Sequence, residues 1–319
     1  MPDSAADNSP EENSRQAGDH AVSMPLFVEH AHLQVRDLPM VSAWYQRILG
    51  LTPIESSASG QTLGAGGVPL LTLTSRADLA PSAPRAAGLF HNAFLVPDRR
   101  ELARWLAHAA HSGVRLQGAS DHLVSEAIYL ADPEGNGIEV YRDRPRAEWH
   151  YQPDGMVGMA TLPIDLQALY DDAPQQGFSR MAPGTALGHI HLQVSALPEA
   201  DQFFRAVLGL DLMATYPGAH FYAAGRYHHH VAANIWNSRG APRRESRMAG
   251  LADYAIRFND PARFQQALDS LDRLEIPVTR SGAQAKLIDP WGMGLTLSAR
   301  RDRRALPSID GAGQFQTKG

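Results

Sequence analysis

The chain has no cysteine. That absence excludes disulfides, thiolate metal sites, iron–sulfur clusters and a cysteine nucleophile together, so any metal must be held by nitrogen and oxygen. Positive charge is not in excess either: 29 Lys and Arg against 34 Asp and Glu leave a formal net charge of −5, with no electrostatic footprint for a polyanion. No apolar run approaches the roughly 18 residues of a membrane span, and the N-terminus lacks the basic patch and apolar core of a secretory signal. Neither nucleic acid nor a membrane is therefore an expected partner, and the expected location is the cytoplasm. What is present is an ordinary globular mixture, 44% apolar and 20% charged over 319 residues. A span of roughly 100 to 200 residues per domain then implies about two domains. The 14 histidines are the first compositional sign of chemistry.

Residues 1–23 are polar, acidic and nearly free of large apolar side chains, too little to offset the entropy of ordering them, and read as a disordered tail. Residues 300–319, opening on a run of charges, read as a second polar tail. Between them the chain repeats itself. His30–Leu51 (HAHLQVRDLPMVSAWYQRILGL) aligns without a gap against His189–Leu210 (HIHLQVSALPEADQFFRAVLGL), with ten of 22 positions identical. Repetition on this scale indicates duplication of a structural unit.

Each copy opens with an alternating strand (His30 to Val35) and a stretch of helical spacing, Pro39 to Leu49, closed by Gly50. Short strands follow, Val68 to Thr74 and Phe221 to Ala224 among them, set apart by Gly and Pro. A second type of unit comes next in both halves: Gly88–Val114 and Gly250–Ile276 read as strand then helix. Each then ends in a strand, a tight turn and a last strand, Ala127–Tyr141 and Ala285–Ser298. The reading is α+β, with four βαβββ modules in two tandem domains at 24–143 and 186–299, each module pair forming a cupped mixed sheet. The Pro-, Gly- and Gln-rich stretch 144–185, with a short helical piece near Ile164 to Tyr170, joins them.

Chemistry concentrates at equivalent positions. Alternation along Gly137–Tyr141 puts Glu139 on the face opposite Ile138 and Val140. His91 stands in an otherwise apolar strand, where a hydrogen-bonded core histidine is the ordinary alternative to a ligand. His30 and His189 occupy matching places in the first and third modules. In the fourth module Asp253 and Thr296 replace His91 and Glu139. Two histidines and one carboxylate on strands form the facial set that leaves coordination positions open on Fe(II). A further cluster, Tyr227-His228-His229-His230, reads as strand, with His228 and His230 on one face and His229 on the other.

The HxHLQV strand with its LGL helix end, the DPEGNGIE turn, and GASDHLVSEAIYLADPEGNGIEVYRDRP together with YHHHVAANIW resemble the vicinal oxygen chelate (glyoxalase/bleomycin resistance/dioxygenase) superfamily. The finer pattern is similar to its type I extradiol dioxygenases of the bacterial catechol 2,3-dioxygenase kind, over about Val28 to Ser298. The resemblance implies an Fe(II) enzyme, with Mn(II) the alternative ion, that opens the ring of catechol or a substituted catechol with O2. It implies Glu139 and His91 as metal ligands, Tyr129 as the group bonding the bound substrate oxygen, His122 near the substrate, and His229 as the proton-handling histidine. The first histidine ligand is open between His30, if the N-terminal modules pair, and His189, if the second and third pair. His189 is favoured because the YHHH cluster lies on the same module. His191 and His32 lie two residues on, toward the same face. A glyoxalase-like metal-dependent isomerase or lyase and a non-catalytic small-molecule binder are the alternatives within the fold. A homo-oligomer is compatible with everything above.

Overall fold

The computed structural model describes residues 21–76 and 78–299. The tail expectations for 1–20 and 300–319 fall outside those residues. Residues 21–23, assigned by composition to the tail, form a helical turn instead. Ala21 is buried, and Asn259 Nδ2 donates to the carbonyls of Val22 (2.7 Å) and Met24 (2.8 Å).

Four βαβββ modules are present. The first holds β1 (Leu26–Val35), α1 (Leu38–Trp44), β2 (Thr52–Ser56), β3 (Gly60–Ala65) and β4 (Val68–Ser75). The second holds β5 (Gly88–Leu95), α2 (Arg99–His111), β6 (Gly118–Asp121), β7 (Ser125–Ala131) and β8 (Gly137–Asp143). After a short helix α3 (Leu166–Asp171), the third holds β9 (Ala186–Gln193), α4 (Leu197–Asp201), β10 (Asp211–Tyr216), β11 (Ala219–Ala223) and β12 (Val231–Asn234). The fourth holds β13 (Gly250–Phe258), α5 (Pro261–Arg273), β14 (Val278–Ser281), β15 (Gln284–Ile288) and β16 (Gly294–Ala299). Both copies of the duplicated helix finish in a π-helical turn, Tyr45–Leu49 and Gln202–Val207. Local chemistry sets the ends of the first: the Asp37 carboxylate accepts the Met40 N–H at 2.9 Å, and Gly50 adopts φ +72°, a left-handed cap that costs glycine nothing. No helix among the described residues is long and apolar enough to cross a membrane.

The modules form two eight-stranded mixed sheets, ordered β14-β15-β16-β13-β1-β4-β3-β2 and β10-β11-β12-β9-β5-β8-β7-β6. The sheets do not follow the sequence halves 24–143 and 186–299. The first module pairs with the fourth through antiparallel β1 and β13, and the second with the third through antiparallel β5 and β9. Within each module the first and last strands are parallel neighbours, so each module offers its first strand as the free edge, and that edge must be covered by another module. The apolar faces of both sheets and the helices share one core, to which α2 contributes Leu102, Trp105 and Leu106 and α5 contributes Phe264, Leu268 and Leu271. The stretch 144–185 is more than a connector: Trp149 and Val157 are buried in a smaller cluster with Ala93, Tyr141 and Tyr227.

The turn before the last strand is built alike in modules two and four. Asp132 Oδ1 accepts the N–H groups of Glu134 and Asn136, each at 2.9 Å, and Asp289 Oδ1 accepts those of Trp291 (3.0 Å) and Met293 (2.9 Å). Asp289 is wholly buried, so Asp289→Ala strands two backbone donors, and unfolding by denaturant should show a loss of about 2–4 kcal/mol. A loss within experimental error would mean the turn is held by packing alone.

Candidate metal centre and cavity

The register of the second sheet collects the polar side chains on one face. Ala93 on β5 stands opposite His189 on β9 and Glu139 on β8, and His91 stands opposite His191. Tyr129 on β7 stands opposite Glu139. Laterally paired residues share a face, as do residues two apart on a strand, so His91, Glu139, Tyr129, His189 and His191 all point the same way. The residue between His189 and Glu139 is alanine, whose methyl leaves the space above it free.

Around that space His91 Nε2 lies 2.9 Å and His189 Nε2 3.1 Å from Glu139 Oε2, and one ligand atom from each of the three residues lies within 4.8 Å of the others. All three are buried, at 6%, 1% and 3% exposure for His91, His189 and Glu139. Burial alone would raise the Glu139 carboxyl, but the imidazoles of His189 and His91 set against it outweigh burial and hold the group well below the usual range. Burial drives His189 down to about 4, against the pull of Glu139, so its imidazole is neutral and able to ligate. His91 Nε2 makes no aligned hydrogen bond although it lies 2.9 Å from the carboxylate, and it meets there the Nε2 of His189 aimed at the same oxygen. Two buried imidazoles crowded onto one carboxylate oxygen are costly unless a cation joins them, and the donor set of two nitrogens and one oxygen fits a divalent transition metal.

His91 and Glu139 line a cavity of about 380 Å³, and His189 sits just beneath them, its Nε2 3.1 Å from Glu139 Oε2. Phe90, Phe221 and Trp236 also line the cavity, with Met159, Ala160 and Thr161 from the 144–185 segment. Trp236 and Tyr216 are 44% and 51% exposed and mark its mouth. Tyr129 and His122 also line it, 2.6 Å apart between hydroxyl and Nε2, and His122 Nδ1 is 2.6 Å from the Ala160 carbonyl. The carbonyl can only accept, so His122 carries its proton on Nδ1 and its Nε2 accepts the Tyr129 O–H. Burial, with the nearby Glu139 carboxylate, pushes the Tyr129 hydroxyl well above its ordinary range.

His229 lines the cavity with its ring 4.0 Å from that of His189 and 5.1 Å from that of Phe221. Burial, reinforced by His189 and His228, lowers it well below the ordinary imidazole value. His228 and His230 are fully buried and away from the cavity lining. The YHHH cluster is not strand: β12 begins only at Val231, and 227–230 are a loop. His228 and His229 are held by side-chain contacts, while the His230 N–H donates to the Tyr222 carbonyl at 2.8 Å and its carbonyl accepts from Ile190 at 3.0 Å, leading the chain into β12. His30 is elsewhere, on β1 in the other sheet, its Nε2 3.0 Å from Thr72 Oγ1. His32 is bound there to Asp253 (2.6 Å) and Thr74 (2.7 Å). His191, two residues beyond His189, also lines the cavity, and its Nε2 meets Asn234 Nδ2 at 3.0 Å. Asp143, which the sequence analysis does not single out, lies four residues beyond Glu139 on the same strand face, so the alternation that isolates Glu139 isolates it too. Nothing in the composition of 144–185 signals a cavity wall.

The sequence pattern of the Glyoxalase/Bleomycin resistance protein/Dioxygenase superfamily matches residues 27–140. The catechol-2,3-dioxygenase of Bacillus subtilis (strain 168) is 38% identical over 233 residues, 72% of this chain and 81% of that protein. The chain belongs to this superfamily. Its kinship with that relative makes it a dioxygenase-type enzyme of the superfamily. The fold is also that of solved members: a Bacillus subtilis structure with a provisional dioxygenase assignment superposes with a TM-score of 0.57, at 13% identity over 86% of each chain. Glyoxalase I from Zea mays gives 0.53 at 16% identity over 88% of this chain and 95% of that one.

Proposed function

We propose that the protein is an Fe(II)-dependent extradiol dioxygenase that opens the ring of an uncharged catechol beside, rather than between, its two hydroxyls, giving a muconic semialdehyde. The observation that carries this reading is the meeting of His91, Glu139 and His189 under an aromatic-lined cavity. Three protein ligands leave room for a chelating diol and dioxygen, whereas a set closed by a second carboxylate, as a glyoxalase-type isomerase uses, does not. A ferrous ion held by these three would supply Lewis acidity toward the diol oxygens and electrons to dioxygen.

The chain's own groups supply the rest. Phe90, Phe221 and Trp236 hold the aromatic ring and exclude water. With its O–H committed to His122, the Tyr129 oxygen presents lone pairs and accepts the hydrogen bond of a diol hydroxyl, passing proton density toward His122 Nε2. His229, a neutral imidazole in the cavity lining, takes a proton from a diol oxygen or gives one to the oxygen that attacks the ring.

Anaerobic reconstitution with Fe(II), then catechol and air, should yield the yellow ring-opened product. Failure across a panel of diols would end the reading. None of the described residues lining the cavity is Lys or Arg, so a carboxylate on the substrate would be buried without a partner. Catechol and 4-methylcatechol should therefore exceed 3,4-dihydroxyphenylacetate in kcat/KM by about 10²-fold or more, a ratio corresponding to roughly 2.7 kcal/mol. Equal values would show that the acid group stays in solvent.

A further inference from the structure

Behind His229 lies a chain of buried polar groups that the reaction above does not use. Tyr227 Oη is 2.8 Å from Asp143 Oδ2, His228 Nε2 is 2.9 Å from Asp143 Oδ1, and His228 Nδ1 is 2.8 Å from His229 Nδ1. Asp143 and His228 are 4% and 0% exposed. The Trp149 ring lies 5.1 Å from that of His228 and 5.6 Å from that of Tyr227, so the 144–185 segment closes this chain off from solvent and holds the imidazole plane.

We propose that Asp143, acting through His228, dictates which nitrogen of His229 carries the proton and so presents an unprotonated Nε2 to the cavity. A carboxylate can only accept, so it takes the Tyr227 O–H on one oxygen and requires His228 to be N–H at Nε2 on the other. A neutral imidazole protonated there has only a lone pair at Nδ1. His229 Nδ1, 2.8 Å from that lone pair, must donate. The proton of His229 is thereby held on the side away from the cavity, and Nε2 is left as a base. Two adjacent histidines joined through their Nδ1 atoms cannot both be donors or both be acceptors, so fixing one fixes the other. Asp143 and His228 are positioning residues, since neither reaches the cavity. The tautomer stands on these contacts alone; its effect on turnover rests on the dioxygenase reading.

The experiment is ¹⁵N NMR of histidine-labelled protein, metal-free and loaded with diamagnetic Zn(II), alongside turnover of the Fe(II) form. In the wild type His229 should show a protonated Nδ1 and an unprotonated Nε2, with His228 of the opposite tautomer. A His229 protonated at Nε2, or a His228 protonated at both nitrogens, would overturn the proposal without any variant being made. Asp143→Asn keeps the shape but offers an N–H to His228, which permits the reverse chain; an aspartate that fixes a histidine tautomer in this way can be worth about 10⁴-fold in kcat, and outer partners of metal sites about 10- to 100-fold. On that basis kcat should fall by about 10²-fold or more, with the diol KM and bound metal unchanged and the His229 tautomer no longer uniform. Loss of metal in step with kcat, or an unchanged kcat, would overturn the positioning role. If no diol is turned over by the wild type while the ¹⁵N pattern is as derived, the dioxygenase reading fails and the tautomer relay stands.

Discussion

His189→Ala is expected to abolish metal binding and turnover, while His30→Ala leaves both in place. The two residues are equivalent in the duplication, and what separates them is the module each is packed against, the fourth for His30 and the second for His189. His189 stands beside Ala93 on the β5–β9 seam, 3.1 Å from the Glu139 carboxylate, whereas His30, on β1 of the other sheet, is bonded through Nε2 to Thr72 Oγ1 of β4. Removing His189 leaves one imidazole and a carboxylate, and since even outer-shell partners of metal sites are worth about 10- to 100-fold in affinity, the loss should be on the order of 10³-fold or more. Removing His30 deletes one hydrogen bond, about 0.5–1.5 kcal/mol of stability. Metal analysis of both variants after anaerobic Fe(II) loading decides the matter: iron retained by His189→Ala and lost by His30→Ala would place the centre between modules one and four.

His229→Phe should lower kcat by about 10²- to 10⁴-fold, the range that positioned acid–base groups contribute, while iron content and diol KM stay within about threefold. Phenylalanine keeps a flat ring against His189 and Phe221, so the cavity wall survives and only the titratable nitrogen is lost. Stopped-flow turnover with parallel metal analysis reads both. Wild-type turnover would assign the proton transfer to another group, and a fall in KM-controlled binding without a change in kcat would make His229 a wall residue only.

The four modules were legible because duplication repeats both the alternating strand and the LGL helix end, and 22 aligned residues leave little room for another unit. Glu139 and His91 stood out because alternation isolates a polar side chain in an apolar strand. What the residues could not give is which free edge covers which: β1, β5, β9 and β13 are all apolar edge strands, and the choice depends on the three-dimensional fit of whole modules. The YHHH cluster misled in one respect. Its alternation reads as strand, but side-chain bonds to Asp143 and between the rings of His228 and His229 hold it as a loop, and of the three histidines only His229 lines the cavity. Trp149 and Met159 were hidden inside a segment whose composition reads as connection, because a wall made by irregular backbone has no period to detect.

The crossed assembly also orders events at the ribosome. The contact between His32 and Asp253 spans 221 residues, so at roughly 5–20 residues per second of synthesis β1 waits for more than about ten seconds before its partner exists. The sheet built from modules two and three can close during that interval, and the outer modules join last. Long-range pairing of this sort slows folding and leaves an apolar strand open to neighbouring nascent chains. A chain stopped short of β13 should therefore be found in inclusion bodies or held by chaperones, with β1 as the adhesive edge.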